Sequence, residues 1–312
     1  VFSVLLLVLS HMTKAQNPFI KNYTIADGLP TNKIIHIYRD SKGFMWFTTD
    51  SGVIRFDGSS FINFSVDDGL SDNVVMRMKE DLQGRLWFFN LNGTTNYFYE
   101  NTFYNSENAP FLNELKTRFY LINFFQDADS TLYFYNTFSE VFVIKNNELV
   151  DYKNFGFNNL SDAGLHYFNK SEEDRFLLWT SQGIYSTNEI DGELTLKRVH
   201  EGILKVFEGK KHDNIVLDRS FFIHFFDNGE MIPPKAFQTE TQFINSIIVD
   251  QEGYIWVATF DKGVFCYKDN ELILSLDIKS AQGLFPDNEN YFWITSSSSG
   301  IYKINREILK FK

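Results

Sequence analysis

The chain is poor in the residues that carry most familiar chemistry. It has a single cysteine, Cys266, in 312 residues. That excludes an intramolecular disulfide and any metal cluster built on cysteines. The setting "VFCY" alternates like a strand, so a buried small apolar side chain is expected there. Alanine is scarce and long helix-forming runs are absent. Basic residues are outnumbered, 29 to 40, giving a net charge of −11. An acidic surface repels phosphate backbones, so no nucleic-acid partner is expected. None of the six histidines forms His-x-x-x-His or His-Glu-x-x-His. A Gly-x-Ser-x-Gly elbow, a phosphate loop and Gly-x-Gly-x-x-Gly are all missing. The stretches "DADS" and "DNEN" lack the later Glu of a calcium loop. Arg is sparse and sits mostly in turns or third strands, unlike the arginine cluster of a sialidase. No catalytic residue, metal or cofactor is assigned.

What is abundant is aromatic: 17% of the residues, with 34 Phe and 15 Tyr. That composition favours strands. The first residues, "VFSVLLLVLSHMTKAQ", stand apart from the rest. Their apolar run is too short for a bilayer, which needs about 20 residues. It has the length of a signal-peptide core, and Thr13 and Ala15 suit cleavage after Ala15. Residues 1–15 are therefore read as an export signal; a buried strand is the alternative.

The remainder is periodic. "DSKGFMWFTTDSGVIRFDG" from Asp40 returns as "DLQGRLWFFNLNGTTNYF" from Asp81, "DQEGYIWVATFDKGVFCY" from Asp250 and "DNENYFWITSSSSGIYKI" from Asp287. Degenerate copies fill the gaps, so the anchors are Trp46, Trp87, Tyr133, Trp179, Ile215, Trp256 and Trp293. Six steps from 46 to 293 average about 41 residues. That period, with four short strands per repeat, is what a propeller blade needs. In the first repeat, "KIIHIYRD", "FMWFTT", "VIRF" and "FINFS" are the strands and "SKG", "DSG" and "DGSS" the turns. The expected fold is all-β: a seven-bladed β-propeller of four-stranded antiparallel blades over 16–312. Strand 19–24 would close the ring. "EILKFK" (residues 307–312) also looks like an outer strand, and is read as the start of a further domain of a longer protein. The repeated Trp would fill the wedge between blades, and the repeated Asp would hold its hairpin through backbone N–H groups. His36 and His224 fall within strands and are read as satisfied framework residues.

These repeats resemble the two-component regulator propeller family. Its pattern is roughly D-G-L-[SP]-x-N, a strand, D-x-x-G-x-[IL]-W-[IF]-x-T, then x-x-G-[LIV]-x-x-[FY]-[DN]. "DGLPTNKIIHIYRDSKGFMWFTTDSGVIRFDG" matches almost throughout; "DGLSDNVVMRMKEDLQGRLWFFNLNGTTNYF" lacks only the Thr after Trp87. The sixth and seventh repeats keep the core and the third to fifth are degenerate. The resemblance implies the periplasmic sensor region of a histidine kinase or hybrid regulator of Bacteroidetes-like bacteria. Some such sensors detect carbohydrates. An immunoglobulin-like domain, a transmembrane helix anchoring the protein in the inner membrane, and a kinase usually follow. None of these is in the chain.

In a propeller, the turns joining second to third strands and the loops joining blades converge at one mouth of the channel, and function tends to reside on such loops. Here they carry Asn32, Asp50, Asn73, Asn90, Asn92, Asn136, Gln182, Asp218, Arg219, Asp261 and Ser296, with Phe260 and Phe138 as apolar surface. Amides, carboxylates and aromatic faces suit a small molecule or oligosaccharide; the same residues are also common in plain turns. The sequence therefore points to a non-catalytic ligand-sensing propeller, with a homodimer among the expected partners. A free secreted binding propeller and a propeller glycan hydrolase or lyase are the alternatives.

Overall fold

The computed structural model describes residues 19–310, apart from 156–163, 171–174, 191–192, 202, 209–213, 219, 221, 228–229, 232–236, 239–240, 242 and 288–289. The proposed export signal, with His11, lies outside the described residues, as do His212 and Arg219.

Seven antiparallel sheets form a closed ring. Blade 1 runs inside to outside as Ile34–Arg39, Met45–Thr49, Val53–Phe56 and Phe61–Phe64. The innermost strands of the next five blades are Val75–Glu80, Asn123–Gln126, Leu165–Lys170, Ile203–Glu208 and Ile244–Val249. In blade 7, Ala281–Pro286, Tyr291–Ser296 and Gly300–Asn305 are joined by Ile20–Tyr23 as the outer strand, with Ile20 opposite Ile304 and Tyr23 opposite Ile301. The first and last described strands thus share one sheet, which removes the open edge a linear array would leave. Among the described residues of 307–312 no competing outer strand forms. Arg306–Lys310 is a 3₁₀ turn, because the edge it would have paired with is already occupied. Blades 3 and 4 have four strands despite their degenerate motifs. In blade 5 the outer edge is reduced to two short pieces, Glu230–Met231 and Phe237–Gln238, both paired with Phe222–Asp227.

The second strands are buried on both faces, as befits a layer enclosed between neighbouring blades. Among the described residues, seven apolar clusters occupy the seven blade boundaries. Trp46 packs with Leu70, Met78 and Phe88 of the next blade; Trp293 packs with Ile34, Phe47 and Ile54, across the closure. Tyr133 and Ile215 take the same place in blades 3 and 5 with smaller cores. Trp179 is the exception. The turn-flanking Thr180 lies opposite Leu165 as Thr49 lies opposite Ile34, so the residue aligned with Trp46 is Leu177. Trp179 sits two residues nearer the turn, on the same face of its strand. It still fills a blade boundary, against Val206, Val216 and Phe226.

The repeated Asp has two tasks. Asp40 Oδ1 accepts from the Phe44 backbone N–H at 2.8 Å, closing the hairpin, while Oδ2 accepts from the Trp46 indole at 2.7 Å. Asp81 with Trp87, Asp250 with Trp256 and Asp287 with Trp293 repeat the bond at 2.8, 3.1 and 2.9 Å. An indole N–H enclosed by apolar neighbours needs an acceptor, and the turn carboxylate supplies it. Trp179, displaced away from the hairpin between first and second strands, donates to Asn169 instead.

Candidate functional site

Most polar atoms of the described loop and turn residues named as candidates belong to the scaffold. Thr49 Oγ1 donates to the Gly52 carbonyl across the turn between second and third strands, as Thr259 does to Gly263. Asn90, Asn136, Asp218 and Ser296 occupy that same position in blades 2, 3, 5 and 7. Asn90 is buried and donates to Thr94 and Asn96. Asn136 is buried, donates to Glu140 at 2.6 Å and accepts from Phe138 N–H. Ser296 accepts from the N–H groups of Ser298 and Ser299 and donates to the Lys279 carbonyl. Asp218 accepts from the Ser220 and Phe222 N–H groups and pairs with His224 Nε2 at 2.8 Å. Burial alone would raise the Asp218 pKa, but the His224 bond and the two backbone donors outweigh it and lower it.

Asn32 and Asn73 act as latches. Each Oδ1 accepts from the first N–H of a 3₁₀ turn between blades, Ile25 or Val66, at 3.0 Å. Each carbonyl accepts from a turn glycine, Gly300 or Gly52. Asp261 accepts from Thr241, Asn92 holds Thr94, and Asp50 forms an exposed ion pair with Lys33 at 3.4 Å. Gln182 is half-buried in its turn, and Phe260 is exposed.

Two concavities emerge that the residue list did not describe. The first, of about 440 Å³, is lined by Lys116, Arg118, Phe119, Phe138, Glu140 and Tyr152, among others. Phe119 and Phe138 stack with ring centres 3.9 Å apart, both part-exposed. Their stack joins the loop entering blade 3 to the turn between that blade's second and third strands. Glu140 sits beneath, its Oε1 accepting from the Tyr152 hydroxyl at 2.9 Å. Burial, then that bond, raises the Tyr152 pKa. The second concavity is the channel itself, about 210 Å³, with Tyr120, the neighbour of Phe119, in its lining. Of these residues the sequence reading named only Phe138 and the framework residue His36. Phe119 and Tyr152 come from a loop and an outer strand that carry no motif.

His36 departs from its reading. His224 is satisfied by Asp218, whereas His36 Nδ1 is buried without a partner among the described residues. Arginine is also present at the axis, as Arg77 on an innermost strand. Cys266 is buried as expected, its thiol pushed up to about 12 by burial and by nearby Asp250. Among the described residues no group of three or more His, Cys, Asp or Glu could hold a metal ion. No helix there is long and apolar enough to cross a membrane.

Residues 28–51 and 240–261 match the family model of the two component regulator propeller. These two segments supply the first two strands of blades 1 and 6. No curated protein matches the chain. Among solved structures, the extracellular domain of BT3049 of B. thetaiotaomicron, assigned as a hybrid two component system, superposes with a TM-score of 0.67 at 16% identity, over 92% of this chain and 41% of that one. Virginiamycin B lyase from Staphylococcus aureus gives 0.64 at 13%, over 92% and 98%. PorZ of Porphyromonas gingivalis, a surface component of the type-IX secretion system, gives 0.62 at 13%, over 91% and 37%. The chain thus spans about two fifths of the BT3049 extracellular domain. At these identities the likeness is one of fold.

Proposed function

We propose that the chain is the extracytoplasmic, ligand-sensing propeller of a two-component signalling protein and has no catalysis of its own. The observation that carries this reading is the pair of two component regulator propeller matches, set in a ring whose repeated Asp, Trp and Thr positions serve the scaffold. The fold shared with the extracellular domain of BT3049 supports it. On this reading residues 1–15 direct export. An immunoglobulin-like domain, a membrane helix and a kinase belong to the same protein, and the propeller works as a homodimer or against the adjoining domain. A bound ligand acts by favouring one of two arrangements at that interface.

The ligand we infer is an oligosaccharide held in the groove of Phe119, Phe138, Glu140 and Tyr152. Aromatic faces there suit the C–H faces of sugar rings, and Glu140, Lys116 and Arg118 suit hydroxyls. Its volume, about 440 Å³, lies within the range of ligand pockets. Calorimetric titration with a panel of oligosaccharides tests the reading. A binder is expected whose affinity falls at least tenfold in Phe138→Ala, with no product released on long incubation. Affinity unchanged in both Phe119→Ala and Phe138→Ala would dismiss the groove. Turnover of a glycan would favour an enzyme, the role that virginiamycin B lyase shows a similar ring can hold.

A further inference from the structure

The channel's charge runs against that of the chain. The net charge is −11, yet the channel lining has no carboxylate among its described residues and includes Arg77, Lys205 and His36. A repeated distortion puts them there. In blades 1, 2, 4, 5 and 6 the innermost strand has a bulge after its first residue, at Ile34, Val75, Leu165, Ile203 and Ile244. The residue after each bulge is His36, Arg77, Tyr167, Lys205 and Ser246, one column of the repeat. Bulges re-aim side chains; His36, Arg77, Lys205 and Ser246 line the channel, while Tyr167 packs against the Trp179 cluster.

Neither Arg77 nor Lys205 forms an ion pair with a described residue, and one Lys205 N–H goes to the Ile244 carbonyl at 2.7 Å. Burial, then the charge of Arg77, lowers the Lys205 pKa to about 8, and the same two causes hold His36 down to about 3. His166, on blade 4 and outside the channel lining, is lowered to about 4 by burial and, second, by the charge of Lys205. The buried His36 Nδ1 and His166 Nε2 have no partner among the described residues.

We propose that the channel binds a small oxyanion, a carboxylate, sulfate or phosphate group, between Arg77 and Lys205, with the His36 imidazole in the same lining. The guanidinium offers a planar fork of N–H groups and the ammonium a compact charge. An anion would offset the like charges of Arg77 and Lys205. The site is separate from the aromatic groove and does not rest on the signalling reading.

The test is thermal unfolding of the intact chain in sulfate, phosphate or acetate, against chloride at matched ionic strength. At least one oxyanion is expected to raise the midpoint saturably. A response to sulfate or phosphate alone identifies a tetrahedral group, and a response to acetate alone a carboxylate. The double variant Arg77→Gln/Lys205→Gln should bind that ion at least tenfold more weakly. As a check independent of variants, the His36 imidazole ¹⁵N resonances of the unaltered protein should shift along the same titration. No saturable response beyond chloride overturns the proposal. So does a response that the double variant retains in full.

Discussion

At the residue scale, the Asp-x-x-Gly-x-x-Trp motif is one hydrogen-bonded unit. Asp81 is the most enclosed example: its side chain is inaccessible, and it accepts from Gln83 N–H, Arg85 N–H, Arg85 Nε and Trp87 Nε1. Asp81→Ala leaves a buried indole and a cation unpaired, and should cost roughly 3 kcal/mol. Trp87→Phe keeps the ring but removes the donor, and should cost about 2 kcal/mol from lost packing volume and the lost bond. Urea unfolding of the two variants checks the order; an Asp81→Ala variant within experimental error of the unaltered protein would refute the role given to the carboxylate. A second residue-scale expectation concerns His36. Its pKa is about 3 in the fold against 6.5 when free, so the unfolded chain takes up the proton first as pH falls. Its contribution to stability is therefore complete above 6.5 and is lost progressively between 6.5 and about 3. Thermal midpoints at pH 7 and pH 4.5 should differ less in His36→Gln than in the unaltered protein; equal differences would count against this.

At the element scale, the blade was largely legible and the site was not. Short alternating strands with Asp, Gly and Ser turns give the hairpins directly, because a turn that needs a left-handed residue names its glycine. Gly52 (φ +107°) is the sharpest instance: a Cβ there would stand 2.0 Å from the Phe64 carbonyl oxygen. Gly58 has nearly the same angle, φ +103°, and nothing within 4 Å. Gly58→Ala should cost about 1 kcal/mol, the strain of the left-handed conformation. Gly52→Ala should cost at least about 2 kcal/mol, since backbone must also move. Chemical denaturation of both variants measures the gap, and equal losses would show the close approach to be unimportant. The loops defeated the reading for a related reason. Asn, Asp and Ser at channel-mouth positions hydrogen-bond turns as readily as ligands, and Asn90, Asn136 and Ser296 proved to be counterparts of Thr49. Aligning the repeats column by column would have found His36, Arg77 and Lys205. Reading each strand alone concealed them, because a bulge shifts the alternation by one.

At the scale of the whole molecule, the period of about 41 residues determined the blade number even though Trp179 is two residues out of step, since closure needs a whole number of blades. The outer strand of blade 7 comes from the start of the described chain, and Arg306, just past the last strand, pairs with Asp250 of blade 6. Both ends of the described chain are thereby tied into the ring. If the ring is, as proposed, the sensing part of a membrane-spanning signalling protein, reading the gene onward from the codon for Lys312 is the most direct test. An open frame continuing into a further extracytoplasmic domain, a membrane helix and a histidine kinase or regulator output is expected. A frame that ends without a membrane segment and an output domain would refute the sensing role.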